Sequence, residues 1–349
     1  MSAPAVDAPS ALRTVTRTRV RGALRRRLIV LALLVLVAAA FVTSLMAGHT
    51  FYPAHDVLRV VMGEDVPGAS FTVGRLRLPR AVLALSAGLG FGLAGVTFQT
   101  MLRNPLASPD IIGISAGAST AAIAIVIFSL GGTEVSVVAI AAALGVALLV
   151  YTLAFRDGVA GTRLILIGIG VSALLDSVTS YVLSQAGEWD LQEAMRRLTG
   201  SLNGTTWDET VPTVLAVLVL GPVLLSRARN LSALSLGDDT ASALGVRVER
   251  TRVVVIVAAV GLIAFATAAA GPIAFVAFLS GPIAARLVGT GGSLLVPASL
   301  VGALLVLVAD FTGQYAFDTR YPVGVVTGVL GAPYLVYLIV RTNRAGGSL

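Results

Sequence analysis

Apolar residues in this chain come in long blocks separated by short polar breaks. A run of about twenty apolar residues, coiled as an α-helix, matches the hydrocarbon thickness of a bilayer. Such runs fall at about 28–46, 81–102, 111–130, 134–155, 163–184, 208–226, 252–271, 273–288, 294–313 and 323–340. They predict an all-α polytopic membrane protein of about ten transmembrane helices. The weakest run is 273–288, where Pro272 and Pro282 interrupt the apolar pattern and predict a short or re-entrant span. Two stretches between spans, His55 to Met62 and Glu188 to Leu198, carry helical periodicity and read either as helices lying along the outer surface or as plain connectors.

Glycine placement adds packing to this picture. Arg77-Leu-Pro-Arg80 is expected to form a basic turn ahead of the second run, in which Gly88, Gly92 and Gly95 fall nearly on one side and admit a close helix neighbour. After Arg103-Asn-Pro-Leu-Ala-Ser-Pro-Asp110 the third run opens with Asp110 in its first turn, where a carboxylate suits the positive helix end. Gly113 and Gly117 repeat the small-residue spacing, so the expectation is two packed helices joined by a short turn.

Composition agrees with a membrane chain and removes several chemistries. Mean hydropathy is +0.91, and 12% of the 349 residues are charged, against about 25% in soluble domains. The chain has no cysteine, which excludes disulfides and thiolate metal sites, and its two histidines, His49 and His55, are too few for a histidine-built metal centre. All 25 basic residues are arginine, so neither a Walker A lysine nor a Schiff-base lysine exists here. If ATP drives this protein, another chain binds it.

The positive charge follows the membrane rule rather than a nucleic-acid pattern. Residues 1–27 form an Arg-rich tail with seven arginines, and 28–344 form a single transmembrane domain. The apolar stretch after the tail is long for a cleaved signal peptide, and the later spans orient correctly only from a cytoplasmic N-terminus. Threading from there leaves Arg59, Arg75, Arg77, Arg80, Arg196, Arg197 and Arg320 outside and the other eighteen arginines inside, with both termini cytoplasmic.

Polar groups inside the spans are few: Gln99, Ser172, Asp176, Ser177, Thr179, Ser180 and Asp310. A charge in hydrocarbon costs at least a few kcal/mol unless protein or water faces it, so these are the translocation-pathway candidates. Asp176 has Ser172, Thr179 and Ser180 three or four residues away; it either lines a cavity or bonds a neighbouring helix. Asp310, close to an outer span end, reads as an interfacial residue. No Ser/His/Asp set or carboxylate pair is placed for catalysis. On the inside, 227–250 holds a short helix led by Asp238, with Ala241 and Leu244 facing one way and Gly237 and Gly245 punctuating its ends. On its residues alone this is a docking turn or an amphipathic turn resting on headgroups.

Together these motifs resemble the FecCD family, the permease subunits of ABC importers for ferric siderophores, haem and vitamin B12. The resembling stretches are Arg77 to Arg80, Gln99, Asn104 to Pro109, Gly113 to Ala118, Leu236-Gly-Asp-Asp-Thr-Ala to Leu244-Gly245, Gly271 to Val276, and the final Val323 to Tyr334 run with Gly324, Gly328 and Gly331. The chain departs at Pro282-Ile-Ala-Ala-Arg286, which lacks a polar residue after the proline, and at Gln314, where some relatives carry arginine.

The resemblance implies a type II ABC importer permease architecture in the inner (plasma) membrane, with no cofactor in this chain because ATP and Mg belong to the partner. The implied partners are a second permease copy or close paralogue, two ATPase subunits and an extracytoplasmic substrate-binding protein, with no nucleic acid. It implies that Arg77 and Arg80, with Arg320 as a further basic contribution, dock the binding protein, although the first two also read as headgroup anchors. It implies that Leu236, Gly237, Asp238, Asp239, Ala241, Leu244 and Gly245 couple to the ATPase. Ferric siderophore is the expected cargo, with vitamin B12 or haem as the alternative. The competing class is an ion-coupled secondary transporter using Asp176, for which a single central carboxylate is meagre.

Overall fold

A computed structural model describes residues 8–109, 113–128, 134–154, 161–289 and 291–344; the expected helix start at Asp110 and the inside charge Arg156 lie outside them. In chain order, α1 is Ala8–Met46, α2 Ala54–Val61, α3 Leu78–Met101, α4 Ile114–Ile127 and α5 Glu134–Ala154. Next come α6 Gly161–Ser184, α7 Glu188–Leu198, α8 Trp207–Ser226, α9 Ala228–Leu234 and α10 Asp238–Ala243. The chain closes with α11 Val248–Ala270, α12 Val276–Val288, α13 Leu295–Tyr315 and α14 Val323–Arg344. Each apolar run therefore contains a helix within its described residues, and among these helices seven are long and apolar enough to cross a membrane. The shorter apolar stretches lie in α4, α12 and α14. Helix α12, at 13 residues, reaches only about 20 Å against a core of about 30 Å. It follows a bent segment with Gly271 at φ 72° and Phe275 at φ 63°, which is the interruption that Pro272 predicts, whereas Pro282 lies inside α12 without ending it.

The Arg-rich start is helical from Ala8 onward and continuous with the first apolar run: α1 runs unbroken for 39 residues. Its arginines, leucines and alanines are good helix formers, and Gly22 alone does not break it. The surface stretches at 54–61 and 188–198 are both helices, as their periodicity requires.

Arg77-Leu-Pro-Arg80 is not a turn. Ser70–Arg77 forms a π-helix that leads directly into α3, so helix is continuous from Ser70 to Met101. Pro79 explains the switch, since its ring excludes an i−4 carbonyl and its nitrogen donates nothing. The hydrogen bonds just ahead of it lengthen by one residue, with Leu78 N–H donating to the Val73 carbonyl.

Helix α3 is the centre of the bundle, packed mainly against α13, α11, α12 and α8. Its glycines do meet a close neighbour, but not α4, which packs mainly on α5 and α6. A Cβ on Gly88 would lie 2.6 Å from the Gly302 carbonyl oxygen of α13; Gly92 faces Ala298 and Ser299, and Gly95 faces Ala277 of α12. Backbones approach this closely only where one side lacks a side chain and the other carries a small one or none.

Contacts between distant segments define two ends. At one, Arg26 of α1 donates to the Gly291 carbonyl, and a cleft brings Arg103 and Asn104 together with Ser232 of α9 and Gly292. At the other, Arg77 reaches the last turn of α1, and the 199–205 loop is stitched to α11 and α14 through Ser201 N–H to Ala270 (2.8 Å) and Gly324 N–H to Gly200 (3.0 Å). The segments alternate between these ends as the threading requires.

Candidate functional site

At the end where α1 terminates, a cleft of about 340 Å³ is lined by Arg77, Arg80, Arg320, Asn203, Asp310 and His49, among others. The π-to-α transition sets Arg77 and Arg80 on the rim of α3, and each guanidinium is engaged within the chain. Arg77 donates to the carbonyls of Leu45 (2.9 Å), Met46 (3.0 Å) and Thr50 (2.7 Å) and lies 5.2 Å from the Tyr52 ring centroid. It thus caps α1, supplying cationic donors to carbonyls that have no partner in the helix.

Arg80 is held more deeply. Nε lies 3.1 and 3.0 Å from the two oxygens of Asp310, Nη2 lies 2.7 Å from Oδ1, and Nη1 donates to Asn203 at 2.6 Å. The two side chains of this pair are only 15% and 6% exposed. Gln314 donates to the second Asp310 oxygen at 2.8 Å, so the carboxylate is fully used. Asp310 is therefore not an interfacial residue but the buried counter-charge of Arg80. Sequence reading missed the pair, yet a signal existed: Asp310 is the one carboxylate in its apolar run, and a buried carboxylate needs a cation at equal depth. Arg320 is exposed and donates to His49 Nε2 at 3.1 Å.

At the opposite end, α9 and α10 form the predicted turn. Gly237 at φ 108° and Gly245 at φ 82° sit at its ends, in backbone conformations that favour glycine. Asp238 and Asp239 open α10, where carboxylates suit the helix start. The apolar residues divide differently from the sequence reading: Ala241 is fully buried against the body, whereas Leu244 is 64% exposed and is joined outside by Leu236 at 63%. One turn separates inward from outward residues because α10 has only six residues. Arg252, counted in the sequence only as an inside charge, is buried and pairs with Asp238 at 2.7 Å.

The intramembrane candidates do not form one group. Gln99 is buried, donates to the Phe278 carbonyl at 2.9 Å and rests on Gly281, so it ties α3 to α12. Thr179 is buried and shares a 2.7 Å hydrogen bond with Thr120 of α4. The Ser172 hydroxyl is buried without a hydrogen-bond partner among the described residues and lies beside Gly113. Asp176, Ser177 and Ser180 are exposed, and the serines bond only their own helix. Among the described residues the Asp176 carboxylate has no hydrogen-bond or ion-pair partner, and so no bond to a neighbouring described helix. An apolar cavity of about 770 Å³ lies between the ends, lined by Leu106, Ser108, Ser115, Phe275, Val325 and Leu335, among others. No cluster of His, Cys, Asp and Glu able to hold a metal occurs among the described residues.

Comparison with known proteins agrees with this architecture. The chain is 40% identical over 325 residues to the ferric enterobactin transport system permease protein FepG of Escherichia coli (strain K12), covering 91% of this chain and 98% of that one. It is 40% identical over 316 residues to the achromobactin transport system permease protein CbrC of Dickeya dadantii (strain 3937), covering 89% and 90%. A solved structure of a metal-chelate type ABC transporter in an inward-facing conformation superposes with a TM-score of 0.80 at 29% identity, covering 90% of this chain and 99% of that chain. Residues 34–341 match the model of the FecCD transport family, and the chain belongs to that family.

Proposed function

We propose that this chain is the membrane-spanning subunit of an ATP-driven importer that carries ferric siderophores into the cytoplasm. The observation that carries the proposal is the turn Leu236–Gly245: a short helix pinned inward by Ala241 that presents two leucines outward, at the same end as Arg26 and Arg103. Apolar prongs on a rigid turn suit insertion into a groove of another protein. That partner is an ATPase subunit, which binds ATP and Mg, and the termini share its cytoplasmic side. The cargo class rests on the names of the relatives.

The exposed face of α6 supports a second permease copy. Asp176, Ser177 and Ser180 lie there among Leu174, Val178 and Tyr181, which are equally exposed. A carboxylate cannot face hydrocarbon without cost, so this face meets a water-filled path between two copies. The outer cleft receives acidic groups of a substrate-binding protein: three arginines face one carboxylate there, and Arg320 is the exposed one.

Uptake of radioiron-labelled ferric enterobactin by cells lacking the chain, before and after it is restored, tests the cargo. Restoration by cobalamin uptake instead, or uptake driven by a proton gradient without ATP, would overturn the proposal. Arg320→Glu is expected to weaken capture of the binding protein while the fold persists, because its one described hydrogen bond is to a solvent-facing histidine.

A further inference from the structure

The turn that presents Leu236 and Leu244 has to be joined to the transmembrane bundle firmly enough for movement at one to reach the other. Two adjacent residues of α11 make the polar joints. Thr251 accepts from Asn230 of α9 at 3.4 Å, and Arg252 donates to Asp238 of α10 at 2.7 Å, with Glu249 3.5 Å away. The Arg252 side chain is only 8% exposed, whereas Asp238 and Glu249 are 43% and 55% exposed. The cation is thus enclosed by the bundle and the Asp238 carboxylate belongs to the more exposed turn.

This asymmetry has a mechanical meaning. If α10 moved away, the shielded guanidinium would lose its 2.7 Å partner and keep only the longer, half-exposed contact to Glu249 of its own helix, so separating α10 from α11 is costly while Arg252 stays behind. Helix α11 packs along α3, α8 and α5, and α3 is the core of the bundle. We propose that Arg252 is a positioning residue that makes α10 and α11 move as one body, delivering displacement of the docking turn to the transmembrane helices. The inference rests on the reading of Leu236–Gly245 as the ATPase-docking turn.

The test uses the complete importer, permease with its ATPase and binding protein, in proteoliposomes supplied with ferric enterobactin. Arg252→Met keeps the length and removes the charge, Arg252→Lys keeps the charge, and Asp238→Asn removes the counter-charge from the half-exposed side. Expected are unchanged ATPase co-purification in the two Arg252 variants, an about tenfold fall in chelate imported per ATP hydrolysed for the Met and Asn variants, and near-normal coupling for Lys. If Arg252→Met does not fold, Asp238→Asn decides the matter. Coupling ratios equal to the parent in both charge-removing variants would overturn the proposal. So would hydrolysis and import falling together with loss of the ATPase, which marks a merely structural role. The docking reading is tested apart, by Leu236→Asp with Leu244→Asp: retention of the ATPase there refutes docking and leaves the Arg252 measurement to stand by itself.

Discussion

Removing the Arg80 side chain is expected to destabilise the protein more than removing any other arginine at the same end. The structure sets the magnitude. Asp310 is 6% exposed, accepts three of its bonds from Arg80, and would be left facing apolar helix with Gln314 as its remaining donor. Breaking a buried pair by deleting one partner costs about 3–5 kcal/mol, whereas an exposed pair is worth about 0–1 kcal/mol. For a chain of this size that difference lowers the melting midpoint by about 3–7 °C. Arg80→Ala and Asp310→Asn should therefore melt early in detergent, and Arg320→Ala should not. The same physics makes a second, sharper forecast. Replacing both partners with apolar residues, Arg80→Met with Asp310→Leu, leaves no orphaned charge and should recover most of the lost stability. Thermal unfolding followed by tryptophan fluorescence on the four variants decides the point. If Arg80→Ala melts with the parent, or the double apolar variant melts below both single variants, the assignment of a buried structural pair is wrong.

Three further outcomes follow from other parts of the molecule. Gly88→Val drives a side chain into the α13 backbone at Gly302 and Ala303 and should cost at least about 1–3 kcal/mol, whereas Gly145→Ala, with nothing within 4 Å, should be neutral or stabilising; expression and melting midpoints compare them. Leu236→Asp and Leu244→Asp should leave melting unchanged, because both side chains are mostly exposed, and should abolish ATPase co-purification. On the surface helix α7, the hydrogen bond from Arg196 holds the Glu193 carboxyl below its usual 4.5, aided by the charge of Arg197. A depressed carboxyl stabilises the fold above its unfolded value and loses that contribution as pH falls through the lower folded value, so α7 should loosen only below about pH 4.5. Hydrogen exchange across 188–198 measures this, and Glu193→Gln should exchange fast at every pH.

The sequence carried those features that depend on neighbouring residues. Apolar runs, surface periodicity at 188–198 and the glycine ends of α10 are all local, and apart from Arg77–Arg80, which is helix where a turn was expected, these elements stand where the pattern puts them. What could not be read were choices among partners. The glycine face of α3 announced a close neighbour but not which helix, and α13 rather than α4 fills it. Leu244 parted from Ala241, which it was expected to join on one face, because a six-residue helix has too few residues for its buried side to repeat. Arg80 looked like a surface cation because its counter-charge lies 230 positions away in sequence. Arg77 was illegible for another reason: its partners are backbone carbonyls, which every residue possesses.

The burial of α3 bears on how the chain is made. In α1 only 17% of the residues in the most apolar window are covered by protein, so that helix is suited to lipid alone and can insert as soon as it is synthesised. In α3 the figure is 83%, and the helix exposes glycine backbone and Gln99 until its neighbours arrive. Its chief neighbour, α13, is among the last segments to leave the ribosome. Synthesis thus leaves the central helix as an incomplete lodger in the bilayer for most of translation, dependent on α1 for anchorage. A chain truncated before α13 should be a substrate for membrane proteases although nearly all of its spans are present.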